Sequence, residues 1–435
     1  MLMSAPPYRI LSLDGGGSWA LLQAQCLQRL FGIDCKGHEV LAHFDLVAAN
    51  SGGSIVLAGL VANLRLSEIL MLFLNSQTRQ QLFSPTADWW WPLFNQVYGF
   101  FSPGKHIGPQ YSTVQKLVGL EAALPEIINL ELEQVPTYAR RHDGTPGPHI
   151  LISSFDYNTQ RSNFFRSDPA SAGSSTGLNA RLQGLPLPTT TIQGTVRLLA
   201  AVHSASTAPI KFFDRTAQVA VAGQINYLWD GGVAGYNNPV LAAVTEAIAN
   251  GTLPSQISVL SIGTGITVPA ILAENEVCYP PCLAIRPVAS SGFFDDVSKV
   301  ASAIVGAPPD AASYVAFSTL NPGFARKDFT NLNFIRANPC LRPIWNEKIS
   351  CWQKPERLTN FTDLELQRLV KLNLDAVKQS DVNLIARLGQ AWMNDSLPNQ
   401  PIRNGHRMSC LLGQATFGQV QSLFQQVFPS TQGQC

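Results

Sequence analysis

The chain has 435 residues, 46% of them apolar, and its 30 basic and 29 acidic side chains leave a formal net charge of +1. A chain that long and that apolar buries a sizeable core, which excludes disordered proteins and small disulfide-stapled scaffolds. Charged residues make up only 14%, against about 25% in an average soluble domain. With the two signs balanced, no basic stripe is available to displace counterions from phosphates. Nucleic acid is therefore excluded as the main partner, and electrostatic attraction to anionic membranes has no support.

From the amino terminus, Tyr8 to Leu13 reads as a short apolar strand, too brief for the core of a secretion signal. It runs into Asp14-Gly15-Gly16-Gly17, after which Leu21, Leu22, Leu27 and Leu30 recur at helical spacing. Phe44 to Ala49 repeats the pattern: a strand, then Asn50-Ser51-Gly52-Gly53, then a helix apolar nearly all round through Ile55, Val56, Leu57, Leu60, Val61 and Leu64. Strand, glycine turn and buried helix in succession are the signature of a parallel sheet with helices packed against it. The longest apolar run, Gly52 to Ala62, falls short of the roughly 18 residues needed to span a bilayer. Lipid contact is therefore expected to be peripheral, and the expected location is cytoplasmic.

Trp89, Trp90, Trp91, Phe94, Tyr98, Phe100 and Phe101 crowd seven aromatics into thirteen residues between Pro92 and Pro103 or just before them. Such a segment suits a lid or wedge over an apolar substrate, a membrane-interface belt, or an irregular loop folded on the core. Further strands are expected at His149 to Phe155, Arg161 to Phe165, Ile225 to Trp229 and Ile257 to Ile262. Pro169 to Val196, with Arg181 as its only charge, reads as a surface loop. Thr362-Asp363-Leu364-Glu365 is a capping box opening a helix with Leu366, Leu369, Val370 and Leu374. The organisation expected is one domain over residues 1–397, followed by a tail, 398–435, without clear periodicity. Eight cysteines lie far apart except Cys278 and Cys282, with no spacing suited to a zinc site; mostly free thiols in a reducing compartment are expected.

Three places carry the chemistry. A strand-to-helix turn at Ala49-Asn50-Ser51-Gly52-Gly53 lifts a serine hydroxyl clear of the sheet at a helix amino terminus, although alanine replaces the first glycine of the G-x-S-x-G elbow. Gly173-Ser174-Ser175-Thr176-Gly177 fits the letters better but lacks a strand before it or a helix after it. At Gly15, Gly16 and Gly17, backbone N–H groups converge without side-chain obstruction, as an oxyanion hole requires. Gly15-x-Gly17-x-x-Ala20 with Asp34 some way on also fits a dinucleotide fingerprint, a weak pattern by itself. At the end of a strand, Asp230 precedes Gly231 and Gly232. A serine needs a proton acceptor, and the one histidine that follows Asp230, His406, sits in the tail, so a Ser51–Asp230 dyad is the simpler assignment.

Taken in order, Asp14-Gly15-Gly16-Gly17, Ser51 in its elbow and Asp230-Gly231-Gly232 resemble the patatin-like phospholipase family. His203 to Phe212, ending in Ala208-Pro209 before an aromatic, and Ser261-Ile262-Gly263-Thr264-Gly265 are similar to two further segments of that family. The resemblance implies a three-layer α/β/α fold with a mainly parallel sheet, and a lipid acyl hydrolase needing neither metal nor organic cofactor. It implies attack by Ser51, proton acceptance by Asp230, an oxyanion held by the amides of Gly15, Gly16 and Gly17, and an acyl-enzyme. Asp14, Gly53, Gly231 and Gly232 support these motifs. The expected partner is a lipid or acyl ester, with peripheral membrane contact through Trp89, Trp90, Trp91, Phe100 and Phe101. The glycine loop departs from the family pattern where a basic residue and a glycine are usual, because Trp19 and Ala20 stand there.

Overall fold

A computed structural model describes residues 7–82, 110–168, 195–209, 212–221, 223–287, 306–323, 333–372, 376–402 and 413–428, with isolated positions at 292, 299 and 303. The aromatic run 89–101, Ser175 and His406 lie outside the described residues.

Eight strands form the central sheet: β1 (Tyr8–Leu13), β2 (Leu46–Ala49), β3 (His149–Asp156), β4 (Arg161–Arg166), β5 (Ala217–Val221), β6 (Gln224–Asp230), β7 (Ile257–Ile262) and β8 (Phe334–Ala337). They run in the order β8-β7-β1-β2-β3-β6-β5, with β4 also paired to β3. The pairings from β8 through β3 are parallel, whereas β3 pairs antiparallel with both β4 and β6, and β6 with β5. Strands β1, β2, β7 and β8 are near-continuous apolar runs, as strands buried on both faces must be. Edge strand β5 instead alternates buried and exposed positions, and its short, mixed composition gave the sequence reading no strand to find.

The alternation of side chains divides the core in two. Leu11, Leu13, Val47, Ala49, Leu260 and Ile262 face one apolar cluster, while Ile10, Leu46, Ala48, Ile257 and Val259 face the other. The first cluster takes in helices α1 (Leu21–Phe31), α2 (Ser51–Val61), α3 (Thr113–Ala123) and α4 (Leu198–Ala205). The second takes in α5 (Val240–Ala249) and α6 (Pro308–Leu320). Helices cover both faces of the sheet, so the expected three-layer α/β/α architecture with a mainly parallel sheet is the one observed. Every residue of α2 is buried, in keeping with a sequence that offers no polar face.

Beyond the sheet, α7 (Asp363–Lys371) starts at the capping box, where the Thr362 hydroxyl accepts from the Glu365 N–H. It is followed by α8 (Gln379–Met393), and the tail supplies α9 (Phe417–Val427). Phe417, Val420, Phe424 and Phe428 bury at helical spacing into the first cluster, and Phe424 meets Phe31 edge-on at 5.1 Å. This part of the tail therefore belongs to the same core. Its period is diluted by four glutamines and a glycine in twelve residues, which obscures it in the sequence. Among the described residues, no helix is long and apolar enough to cross a membrane. Cys26, Cys278, Cys282, Cys340 and Cys351 are free thiols, as expected of most of the cysteines; Cys35 is disulfide-bonded.

Candidate active site

Strand β2 ends at Ala49, and Asn50 is still extended, with φ −137° and ψ 151°. Ser51 then turns sharply, with φ +48°, a left-handed conformation that costs an L-residue energy and that surrounding structure must impose. The close approach of α2 supplies that constraint. A Cβ on Gly52 would overlap the Gly17 carbonyl, and one on Gly53 would press on the carbonyls of Leu13 and Asp14. Only glycines let the helix sit so near β1. Ser51 is thereby presented at the helix amino terminus with only 7% of its surface exposed.

Asp230 arrives from the other half of the sheet. On one edge of β3, β2 covers His149 to Ile152, and β4 occupies the opposite edge. Strand β6 pairs with β3 over Ser154 to Asp156, with Asp230 opposite Ser154. It therefore continues the β2 edge, and the two strands meet end to end. The meeting point places Asp230 against the elbow, where the nearby Ser51 hydroxyl favours the ionised form of its carboxylate. The Gly232 N–H donates to Asp230 Oδ1 at 2.8 Å, and the Asn50 side-chain amide donates to the same oxygen at 2.9 Å. Asn50 is oriented in turn by the Ser153 hydroxyl, 2.9 Å from its carbonyl oxygen. Burial pushes the Asp230 carboxyl above the usual carboxylate range, against the opposing effect of these donors and of Lys116.

The glycine loop follows β1 and abuts the elbow. The Gly15 N–H is taken by the Asn237 carbonyl at 2.7 Å, so this amide braces the loop instead of facing a substrate oxygen. The expectation that all three glycine amides hold an oxyanion thereby narrows to Gly16 and Gly17. Side chains at these positions are excluded: a Cβ on Gly15 would meet Asn237, Asn50 and Ser51, and one on Gly16 would overlap Thr264. Gly17 has φ +55°. The Thr264 hydroxyl donates to the Gly15 carbonyl at 2.8 Å, and the Gln23 amide donates to the carbonyls of Asp14 and Ile262.

Beneath the loop, Asp14 forms a buried two-point pair with Arg336 of β8, at 2.6 Å and 3.1 Å. The guanidinium also donates to the Ser261 hydroxyl at 2.8 Å. Burial pushes the Asp14 carboxyl up and the Arg336 charge opposes it. Asn338, just past β8, accepts from the Gly265 N–H at 2.6 Å and donates to Gln400. Thus Ser51, Asp230, Gly16, Gly17, Asp14, Gly53, Gly231 and Gly232 come together. Asp34 does not: it is exposed beyond the carboxyl end of α1, away from the glycines that start the helix. Asn50, Ser153, Asn237, Thr264 and Arg336 carry roles the sequence did not disclose. Arg336 alone left a signal, a charge inside the apolar run Phe334-Ile335-Arg336-Ala337, where only a buried partner makes it tolerable. Among the described residues no cluster suited to a metal ion is found. A cavity of about 600 Å³ beside Tyr8, Arg9 and Asp45 lies at the opposite end of the strands from Ser51.

Residues 11–244, more than half of the chain, match the family model described as patatin-like phospholipase. A cGAMP-activated phospholipase from Pseudomonas aeruginosa is 26% identical over 161 residues, which cover 37% of this chain and 40% of that protein. The chain thus aligns with less than half of that relative's length. Among solved structures, VipD from Legionella pneumophila aligns over 89% of this chain and 67% of its own at 11% identity, with a TM-score of 0.32. Human GIVD cytosolic phospholipase A2 aligns over 37% and 22% at 16% identity, with a TM-score of 0.22.

Proposed function

The chain belongs to the patatin-like phospholipase family, and on that premise we propose that it is a lipid acyl hydrolase that cleaves carboxylic esters through Ser51 and Asp230. The observation that carries this reading is the placement of Ser51, on a left-handed elbow, beside a carboxylate whose affinity for protons is raised by burial. A serine hydroxyl is a weak nucleophile until a base accepts its proton, and a buried carboxyl is a better base than an exposed one.

Ser51 Oγ attacks the ester carbonyl as its proton passes to Asp230, and the negative charge develops against the amides of Gly16 and Gly17. The amino end of α2 adds its positive dipole. Collapse of the tetrahedral intermediate expels the alcohol, which takes the proton from Asp230, and leaves an acyl-Ser51 ester. Water, deprotonated by the same carboxylate, then releases the fatty acid. Trp19, in place of a cation beside the loop, favours neutral glycerolipids or simple acyl esters as substrates alongside phospholipids. The aromatic run Trp89 to Phe101 supplies the lipid-facing contact in this reading.

The test is labelling of the intact chain with a fluorophosphonate, with the adduct mapped by peptide mass spectrometry, alongside fatty-acid release from mixed lipid vesicles. An adduct on Ser51 that is lost in Asp230→Asn, together with released fatty acid, is the expected result. An adduct on Ser175, or neither adduct nor release, overturns the assignment. Replacing Trp89, Trp90 and Trp91 by alanine should weaken vesicle binding, and unchanged binding would remove the aromatic run from the scheme.

A further inference from the structure

Helix α3 is built the wrong way round for an ordinary amphipathic helix. Val114 and Val118 are 56% and 53% exposed, while Lys116 between them is only 2% exposed. A lysine left in an apolar interior in preference to two valines needs a compensating interaction. The Lys116 ammonium donates to the Thr207 hydroxyl and to the His203 carbonyl, each at 3.2 Å. It lies 4.5 Å from the centre of the Phe213 ring, where the aromatic face attracts a cation. Thr207 is also the backbone partner of the base: its carbonyl accepts the Asp230 N–H at 2.9 Å. One residue therefore bridges the buried ammonium and the main chain of Asp230.

We propose that Lys116 is a positioning residue for the hydrolysis, holding Thr207 behind Asp230 and keeping the carboxylate ionised. This rests on the assignment of Asp230 as the base. The charges around Lys116 leave Asp230 as its counter-ion. His203, on α4, is 3% exposed and its Nδ1 has no hydrogen-bond partner among the described residues. Burial, and then Lys116, holds its pKa well below the usual histidine range, so the ring is neutral at neutral pH. At the start of α3, Asp214 is committed to the Thr113 N–H and to Arg215. Arg79, on the neighbouring helix Ser76–Leu82, donates to the carbonyls of Phe73 and Leu74 and to Gln379. Burial draws the Lys116 ammonium well below its ordinary range, and Asp230 opposes this. Reciprocally, Lys116 opposes the rise that burial imposes on Asp230.

The sign of the effect follows. Asp230 accepts a proton only when ionised, so the rate falls on the acid side as it protonates. Removing the neighbouring positive charge raises its pKa and moves that limb to higher pH.

The experiment compares the pH dependence of fluorophosphonate labelling at Ser51 in the wild-type chain, Lys116→Met, which keeps volume and removes charge, and Thr207→Val, which removes the bridging hydroxyl. The expected result is an acid limb displaced to higher pH in Lys116→Met and by less, in the same direction, in Thr207→Val. A folded Lys116→Met chain with slower labelling but an unmoved limb would reduce Lys116 to a structural role and overturn the proposal. If Lys116→Met does not fold, an unmoved limb in Thr207→Val has the same meaning. Carboxyl carbon-13 titration of Asp230, assigned by its loss in Asp230→Asn, reads the same coupling without turnover. Should the wild-type chain neither label nor hydrolyse esters, the hydrolase reading fails, while this titration still decides whether Lys116 sets the charge of Asp230.

Discussion

On the parallel side of the sheet, Ser51 and the glycine loop are set chiefly by close main-chain approach, with the Thr264 and Gln23 side chains bracing the loop. Ser51 is held by the close seating of α2 on β1, and Gly15 by an amide-to-carbonyl bond with Asn237. On the antiparallel side, Asp230 has main-chain bonds to Gly232 and Thr207 and is surrounded by a side-chain network, with Asn50 donating to it and Ser153 and Lys116 behind. Backbone geometry demands particular residues, chiefly glycine, whereas a side-chain network is filled by several polar types. The first half should therefore tolerate almost no substitution, and the second should respond in graded steps that track the charge on Asp230.

The largest effect expected is the loss of either member of the proposed Ser51–Asp230 dyad. Ser51→Ala and Asp230→Asn should each lower ester hydrolysis by about four orders of magnitude. Asp230→Asn carries a second expectation. Burial raises the folded-state pKa of Asp230, so the native state binds the proton more tightly than the unfolded chain. The stability from that proton is present at low pH and is lost as pH rises through the folded-state value. An amide avoids that loss, so the melting temperature of Asp230→Asn should fall less than that of the wild type as pH rises through this range, as calorimetry will show.

Next comes Gly16→Ala, whose methyl group collides with Thr264. Displacing one oxyanion donor costs about two to three orders of magnitude in turnover, measurable as the rate of labelling. Arg336→Met tests the brace beneath the loop. It strands the buried Asp14 carboxylate, and breaking a buried pair costs about 3–5 kcal/mol, read as a lower denaturant midpoint. The smallest effect belongs to Asn50→Ala. Removing an amide that donates to Asp230 should cost about tenfold in rate at neutral pH and move the acid limb upward, with little change on the alkaline plateau. If Asn50→Ala proved as damaging as Gly16→Ala, the contrast between the two halves would collapse.

The same contrast explains what was legible in the sequence. Strands β1, β2, β3, β4, β6 and β7 announce themselves as apolar runs with turn residues at their ends. The glycines at 15–17, 52–53 and 231–232 mark the places where backbone needs room. The proposed pairing of Ser51 with Asp230 rests on chemistry, since a nucleophile requires a base. By contrast, nothing local in Asn237 or Thr264 shows that both reach the glycine loop, because each is more than 200 positions away in the chain. Lys116 carried a misleading signal: on a helix next to valines it reads as solvent-facing, and only the structure shows that the valines point outward.

The order in which the chain is made gives the Asp14–Arg336 pair a further meaning. The glycines, Ser51 and Asp230 are made before Arg336, Asn338 and Gln400, which brace the loop from below. A nascent chain thus carries its reactive groups for some time with a buried acid unpaired and the loop unsupported. Ester-cleaving power is expected to appear late in synthesis and abruptly. Arresting translation near residue 300 and again past residue 428, then probing each stalled chain with a fluorophosphonate, would time it. The brace acts as a catch that closes only after the segments carrying Arg336 and Gln400 have been made.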